Sequence, residues 1–505
     1  MSKIKKLQEV LKKLKLDKIF FIIFLILANT SFCTYYYLKN YLGDVSFFQL
    51  YYHIMTGSTD SGSISVILNA VWSCLPLILV LILFEVFIFT RWKKYRFFIK
   101  SNKSRKEYNI FPTIFSKYRL ISSLIILLIS IFILLNYLNL NEYLDNQNTS
   151  TNIYEKYYID SNKINISFNG KKRNLIYIYL ESMESSLFSK KNNGAFEQSR
   201  IPELEKLAEN NINFSHTNGL GGMYDADGYT ISALVSSTSS TPIDASCQND
   251  CAKYGDIVPK VRTIGEVLKS EGYNVEYMQG TSSTFAGFKK YLTKHGKQKI
   301  IDYDEMVKRN YVEKGYHVWW GIEDEKVLKF AKDEILELAN KKEPFAFTVI
   351  TMDTHFVDGY LDETCATPFD DQLSNVYNCS SKKIGNFVKW IKKQKFYNDT
   401  MIVISGDHNT MQHVYYKNKK DYQRTVYNVF INSKKQNVNS KNRKVTNFDI
   451  YPTVLSGLGA DIKGDRIGFG TNLFSNKKTI PEIIGIDNFL SEKNKVSDYY
   501  NKYIN

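Results

Sequence analysis

Residues 174–186 read NLIYIYLESMESS, a run of six apolar and aromatic residues stopped by Glu181. A short run of this kind is a strand buried on both faces, as in a parallel sheet covered by helices. Comparable runs stand at 274–278 (NVEYM), 345–351 (FAFTVIT), 401–405 (MIVIS) and 426–431 (VYNVFI), with helical patterns at 202–209, 263–270, 324–340 and 382–393. Strands separated by helices predict an α/β fold around a mixed, mostly parallel sheet. Such sheets gather ligands at the carboxyl ends of their strands. Glu181, His355 and the Asp407-His408 pair all stand at or just past such an end. No internal repeat interrupts the pattern, so 173–505 reads as one large domain.

The residue types at those ends define a chemistry. One carboxylate at a strand end is ordinarily a solvated charge or a helix cap. Two strand ends that offer acids to one crevice are harder to read that way. Carboxylate oxygens with an imidazole suit Mn²⁺ or Zn²⁺, and Mg²⁺ less well because of the nitrogen. Gly228-Tyr229-Thr230 precedes ISALV, a turn feeding a helix that starts near Thr230. Backbone N–H groups at a helix start favour negative charge; a plain N-cap role for Thr230 is the alternative on local sequence.

Seven stretches, in order, carry a resemblance: NLIYIYLESMESS (174–186), GYTISALVSS (228–237), FAGFKKYLTKHG (285–296), WGIEDE (320–325), TMDTHFVDGYLDETC (351–365), ISGDHNTM (404–411) and FDIYPTVLSGLGADIKGDRIGFGTNLF (448–474). Together they resemble the alkaline-phosphatase-like sulfatase superfamily, specifically its membrane-bound phosphoglycerol transferases. The likeness is to the enzymes that decorate osmoregulated periplasmic glucans, with lipoteichoic acid synthases more distant. The resemblance implies that Glu181, Thr230, Asp407 and His408 hold one catalytic divalent cation, with Mn²⁺ expected and Zn²⁺ or Mg²⁺ as alternatives. It makes Thr230 the nucleophile and His355 the group that meets the substrate phosphate or protonates a leaving oxygen. It places Trp320 and Asp324 in a glycerol-phosphate pocket, and His413 near the acceptor or a second metal, with a surface role as its alternative. The implied donor is phosphatidylglycerol and the implied acceptor a hydroxyl of a cell-envelope glycan. Phosphoethanolamine transfer to lipopolysaccharide or another envelope acceptor is the rival within the same chemistry. Phe288 stands where the glucan enzymes lead one to expect a basic residue, and His295 and His317 have no assigned role. A sulfatase proper is disfavoured, because the nearest C/S-x-P-x-R candidate, Ser240-Thr-Pro-Ile-Asp244, lacks the arginine.

Ahead of this domain lie three apolar runs of bilayer length, expected as spans at 19–38, 63–88 and 120–140. The first lacks a small-residue cleavage site, so it reads as an anchor and not as a removed signal peptide. Residues 1–18 hold seven Lys against two acids, and 91–119 hold ten Lys/Arg against one acid, while 39–60 have a single Lys and two Asp. By the positive-inside rule the N-terminus and the second loop are cytoplasmic, and three spans then put the large domain outside, on the periplasmic side of a bacterial inner membrane. Those two segments supply +14 of the chain's +15. The basic balance is therefore a topology signal and no argument for a nucleic-acid partner. Cys247 with Cys251, and Cys365 with Cys379, form two pairs expected as disulfides in an exported domain, while Cys33 and Cys74 fall inside spans. The aromatic segment 46–55 (SFFQLYYHIM) reads as an amphipathic helix at the membrane interface, and the polar, Asn-rich 141–172 as a linker.

Overall fold

The computed structural model describes residues 16–43, 45–56, 61–91, 98–100, 107–109, 118–243, 256–419, 422–436 and 438–505. The chain forms two compact units, residues 1–47 with 64–141, and 48–63 with 142–505. Its first helices are α1 (Leu16–Tyr37), α2 (Phe47–Thr56), α3 (Ser61–Arg91) and α4 (Arg119–Tyr137). Among the described residues three windows are long and apolar enough to cross a membrane, Asp17–Tyr41, Leu68–Phe89 and Arg119–Tyr137. Leu83, Phe84 and Phe132 are exposed on them, a surface that suits hydrocarbon and not water. Glu85, the acid near the end of the second run, accepts a hydrogen bond from Asn29 Nδ2 at 2.7 Å, so its polar head is partnered within the apolar unit.

The second unit is built on six strands, β1 (Asn174–Leu180), β2 (Asn274–Gln279), β3 (Lys299–Ile301), β4 (Phe345–Ile350), β5 (Thr400–Gly406) and β6 (Asn428–Ile431). Their order is β3-β2-β4-β1-β5-β6. All neighbours run parallel except β5 and β6, which gives the mixed, mostly parallel sheet expected from the strand runs. β1 is central, and successive side chains on it face opposite ways. Leu175, Tyr177 and Tyr179 enter one hydrophobic layer with helix α5 (Thr230–Ser239). Ile176, Ile178 and Leu180 enter the other, with α6 (Asp324–Ala339) and α7 (Gln372–Lys392).

Four features differ from the sequence expectation. β3 is short and only its last residue is buried, too little to stand out as an apolar run. The helix expected from Lys382 begins ten residues earlier, because Asp371 caps Ser374 N and its Asn/Ser-rich first half buries Leu373, Val376 and Tyr377. The stretch 141–172, expected as a linker, is folded onto the domain. Its Ile153, Tyr154 and Tyr158 join the core, and Ile166–Phe168 pairs with Ala460–Ile462. Aromatic rings with satisfied hydroxyls overcome the polar composition there; Tyr154 OH donates to Lys493 O at 2.8 Å. Helix α2, expected at the membrane interface, buries Gln49 and Tyr52 in the second unit. Tyr52 OH donates to Ala286 O at 2.9 Å, and its ring lies 5.7 Å from that of Tyr229. Cys365 and Cys379 are disulfide-bonded as expected, whereas Cys247 and Cys251 lie outside the described residues.

Candidate active site

The parallel register of β1 and β5 sets Leu180 opposite Gly406. The next residues, Glu181 and Asp407, therefore leave the sheet side by side. Gly406 is needed there, since a Cβ would stand 2.1 Å from Met183 O. Ser182 takes a left-handed turn with φ +50. That turn lets its N–H donate to Asp407 Oδ1 at 2.7 Å and its hydroxyl to Glu181 Oε1 at 2.8 Å. Glu181, Asp407 and His408 are all buried, and one ligand atom from each lies within 4.8 Å of the others.

His408 is oriented by its own loop. Its Nδ1 donates to Asn409 O at 2.8 Å, so that Nε2 faces the carboxylates and, in the neutral ring, would offer its lone pair to a cation. Nε2 is 3.6 Å from Glu181 Oε1 and 3.4 Å from Asp407 Oδ2. Asp407 Oδ2 is buried without a hydrogen-bond partner. A buried carboxylate oxygen with no donor is costly, and a cation is the group that would satisfy it. Two carboxylates and an imidazole converging on that point fit a divalent ion. Without one, the three side chains neutralise one another. Burial pushes the Asp407 carboxyl well above its usual range, with the Glu181 charge adding to this. Burial also works to raise Glu181, but the neighbouring His355 and His408 hold it below its ordinary value. Burial works against the His408 cation, yet Asp407 and Glu181 outweigh it and raise the imidazole to about 9.

Thr230 reaches this cluster from α5, where it is the first helical residue. Its hydroxyl donates to Glu181 Oε2 at 3.1 Å and lies 3.4 Å from His408 Nε2. The turn before it is fixed by Asp225, whose Oδ1 accepts from Asp227 N and Gly228 N, both at 3.0 Å. Gly228 has φ +76, a conformation that favours glycine. Asp225 Oδ2 accepts from Asn409 N at 2.7 Å, and Asn447 Nδ2 bridges Asp407 O and Asp227 Oδ2 at 2.7 and 3.1 Å. The turn before Thr230 and the loop of His408 are thus tied together.

The structure brings together Glu181, Thr230, Asp407 and His408. His355 follows β4, donates from Nδ1 to Phe356 O at 2.9 Å, and packs against the Trp320 ring with centroids 4.2 Å apart and planes tilted by 50°. Burial holds its imidazole below the ordinary value. Asp324 is buried, and its carboxylate accepts from Met352 N and Asp353 N at 2.7 and 3.2 Å. Both of its oxygens are engaged by the backbone that leads to His355. His413 sits on a short 3-10 turn, its Nδ1 3.3 Å from Arg424 Nη1. Phe288 is buried at the start of its helix, and His295 is buried between Glu266 and Ile257 O. Ser240 closes α5 at the end opposite Thr230, donating to Phe448 O. Missed in the sequence were Asp225, Asn447 and the Glu184–Arg424 pair that holds Thr410; the D-x-D-G spacing at 225–228 was a legible turn signal for the first.

The sequence profile of the Sulfatase family matches residues 173–460. The chain belongs to that family. Phosphoglycerol transferase I of Salmonella choleraesuis is 32% identical over 334 residues, 64% of this chain and 41% of that protein. Phosphoglycerol transferase I of Escherichia coli (strain SMS-3-5 / SECEC) is 32% identical over 315 residues, 61% of this chain and 39% of that protein. The chain thus spans about two fifths of the length of these curated relatives. Among solved structures, the lipoteichoic acid synthase LtaP from Listeria monocytogenes is 19% identical, covers 64% of this chain and 81% of that one, and has a TM-score of 0.49.

Proposed function

We propose that the protein is a membrane-anchored phosphoglycerol transferase that moves the headgroup of phosphatidylglycerol to a hydroxyl of a cell-envelope glycan. The observation that carries the reading is the Thr230 hydroxyl at a helix start, 3.1 Å from Glu181 Oε2 and 3.4 Å from His408 Nε2, in a cluster where Asp407 Oδ2 accepts no hydrogen bond. The relatives of that name support the choice of headgroup, and the three apolar helices suit a donor confined to a bilayer. Glu181, Asp407, His408 and the Thr230 hydroxyl would hold the cation, with Mn²⁺ the expected ion from the donor set. When bound, it would lower the hydroxyl's pKa and offset charge on the phosphoryl oxygens.

The chain's own residues then divide the work. Thr230 Oγ1 attacks the phosphorus, and its proton passes to Glu181 Oε2, the acceptor it already faces. The P–O bond to diacylglycerol breaks, and the leaving oxygen takes the Nε2 proton of His355 in its protonated form, an acid that burial strengthens. An acceptor hydroxyl next gives its proton to His355 Nε2 and attacks the phosphoglyceryl-threonine in line; the Thr230–phosphorus bond breaks, and Glu181 Oε2 returns its proton to Thr230 Oγ1. The first N–H groups of α5 favour the charge on the transferring group. On this reading the active domain faces the periplasm and the N-terminus the cytoplasm.

The test is intact mass of the full chain after incubation with phosphatidylglycerol and Mn²⁺. The expected result is a phosphoglycerol adduct on Thr230, absent in Thr230→Ala. An adduct formed only from phosphatidylethanolamine would move the protein to the rival headgroup. No adduct and no lipid turnover with either lipid, with cation bound, would sink covalent transfer.

A further inference from the structure

The segment that carries His355 is held from behind by one face of α7. Lys383, itself buried, donates from Nζ to Asp353 Oδ2 at 2.8 Å and to Asp362 Oδ2 at 2.6 Å. One turn earlier on the same face, Cys379 is bonded to Cys365. A turn before that, Asn375 exchanges hydrogen bonds with Phe369, its Oδ1 accepting from Phe369 N at 2.9 Å and its Nδ2 donating to Phe369 O at 2.8 Å. Gln372 at the start of the helix donates to Asp358 O and Gly359 O at 3.2 and 3.1 Å. Between these ties the backbone is pressed close: a Cβ on Gly359 would meet Asp353 O at 2.6 Å and Val376 Cγ1 at 2.8 Å.

The front of the segment meets the site. Asp353 Oδ1 accepts from Asp324 N at 3.1 Å while Asp324 caps Met352 N and Asp353 N. Thr354 Oγ1 donates to Glu181 O at 2.6 Å. Gln412, four residues past His408, accepts from Asp358 N at 2.8 Å and donates to Asp358 Oδ1 at 2.5 Å. A buried lysine facing carboxylates is a weak stabiliser, since desolvation offsets most of the Coulomb gain. What it does enforce is geometry, because either acid left unpaired in that interior is costly.

We propose that Lys383 is a positioning residue for the transfer reaction: with the Cys365–Cys379 bond it clasps residues 353–365 to α7 and so fixes the His355 ring against Trp320. The inference rests on the reading that His355 exchanges protons with the substrate. Its physical core, that the clasp sets the ring's place, is separate from that reading.

The experiment uses the full chain labelled with 5-fluorotryptophan. The Trp320 ¹⁹F resonance, assigned by Trp320→Phe among five tryptophans, reports the neighbouring His355 ring. Diacylglycerol release from phosphatidylglycerol micelles with Mn²⁺ gives kcat and KM. Lys383→Met is expected to shift the Trp320 resonance and lower kcat by about 10- to 100-fold, as an ångström-scale misplacement does, with KM changed little. Lys383→Arg is expected to restore both in large part. Should Lys383→Met fail to fold, Asp362→Asn, which leaves the Asp353 pair intact, and the Cys365→Ser/Cys379→Ser chain are each expected to move both readouts in the same direction by less. An unmoved resonance in the folded variants overturns the clasp whatever the rates do. A moved resonance with wild-type kcat overturns Lys383 as a positioning residue and takes the proton-exchange role of His355 with it. A moved resonance in a chain whose wild type releases no diacylglycerol leaves the clasp standing and fails the transfer reading alone.

Discussion

A buried imidazole at about 9 between two carboxylates is a proton standing where a cation would go. The ordinary histidine value is about 6.5, so the shift is upward. In cation-free protein the imidazolium contributes stability that is fully present below about pH 6.5 and is lost as pH rises through about 9. Binding a metal through Nε2 requires the neutral ring, so uptake expels that proton. Two results are expected of the full chain in detergent. Its chelator-treated melting midpoint falls between pH 6.5 and 9, and saturating Mn²⁺ removes that fall. Affinity for Mn²⁺ rises by up to about tenfold per pH unit over the same window, and a flat profile would mean that His408 is not a ligand. Thr230 differs in kind, since its hydroxyl is the proposed reacting group. Thr230→Ala is expected to lower diacylglycerol release by about 10³-fold or more while leaving Mn²⁺ bound through the other three side chains. Thr230→Ser, which keeps the oxygen and loses the methyl, is expected to retain measurable release. Equal loss in both variants would assign the defect to packing around α5.

Helix α2 shows how an element can mislead. Its aromatic and polar faces suit a membrane interface and a protein surface equally, and the one-dimensional pattern holds nothing to choose between them. In the fold Tyr52 is 3% exposed, packed on Tyr229 next to Thr230, with its hydroxyl spent on Ala286 O. Tyr52→Phe leaves that carbonyl without its donor and is expected to cost about 1 kcal/mol; Tyr52→Ala also opens a cavity and is expected to cost about 3–5 kcal/mol. Denaturant titration of the full chain checks both, and a Tyr52→Ala cost near zero would show that α2 does not dock in solution. The strands were legible because β1, β4 and β5 are unbroken apolar runs, buried on both faces. Their ends were legible for the same reason, which put Glu181 and Asp407 within sight of each other. That they lie side by side depends on the pairing of Leu180 with Gly406, a fact of register and not of composition. Lys383, Asn447 and Asp225 were beyond such reading, because a lysine in mid-helix or an asparagine in a loop looks solvated until the element it faces is known. The backbone contacts of Asp324 were hidden for the same reason: the Trp320 ring lies 4.2 Å from that of His355, while the Asp324 carboxylate turns to the backbone behind.

For the whole molecule, topology and redox chemistry give two independent lines to one orientation. Seven Lys before the first span and ten Lys/Arg between the second and third, against a single Lys in the first loop, support the proposal that residues 1–18 and 91–119 face the cytoplasm. On that proposed topology, three crossings would export everything after α4. Separately, the Cys365–Cys379 bond supports the proposed export, because disulfides persist in oxidising compartments. Neither line borrows from the other, so one labelling experiment can break both. In a chain carrying Cys247→Ser and Cys251→Ser, Asp145→Cys is expected to react with a membrane-impermeant maleimide on intact spheroplasts. Ser104→Cys is expected to react only after the membrane is opened. Cys365 and Cys379 are expected to stay silent until a reductant is added, then to label from the outside. The reverse pattern, with Ser104→Cys reactive in intact cells, would place the active domain in the cytoplasm. It would also expose the Cys365–Cys379 bond to reducing thiols and remove the envelope glycan from its reach.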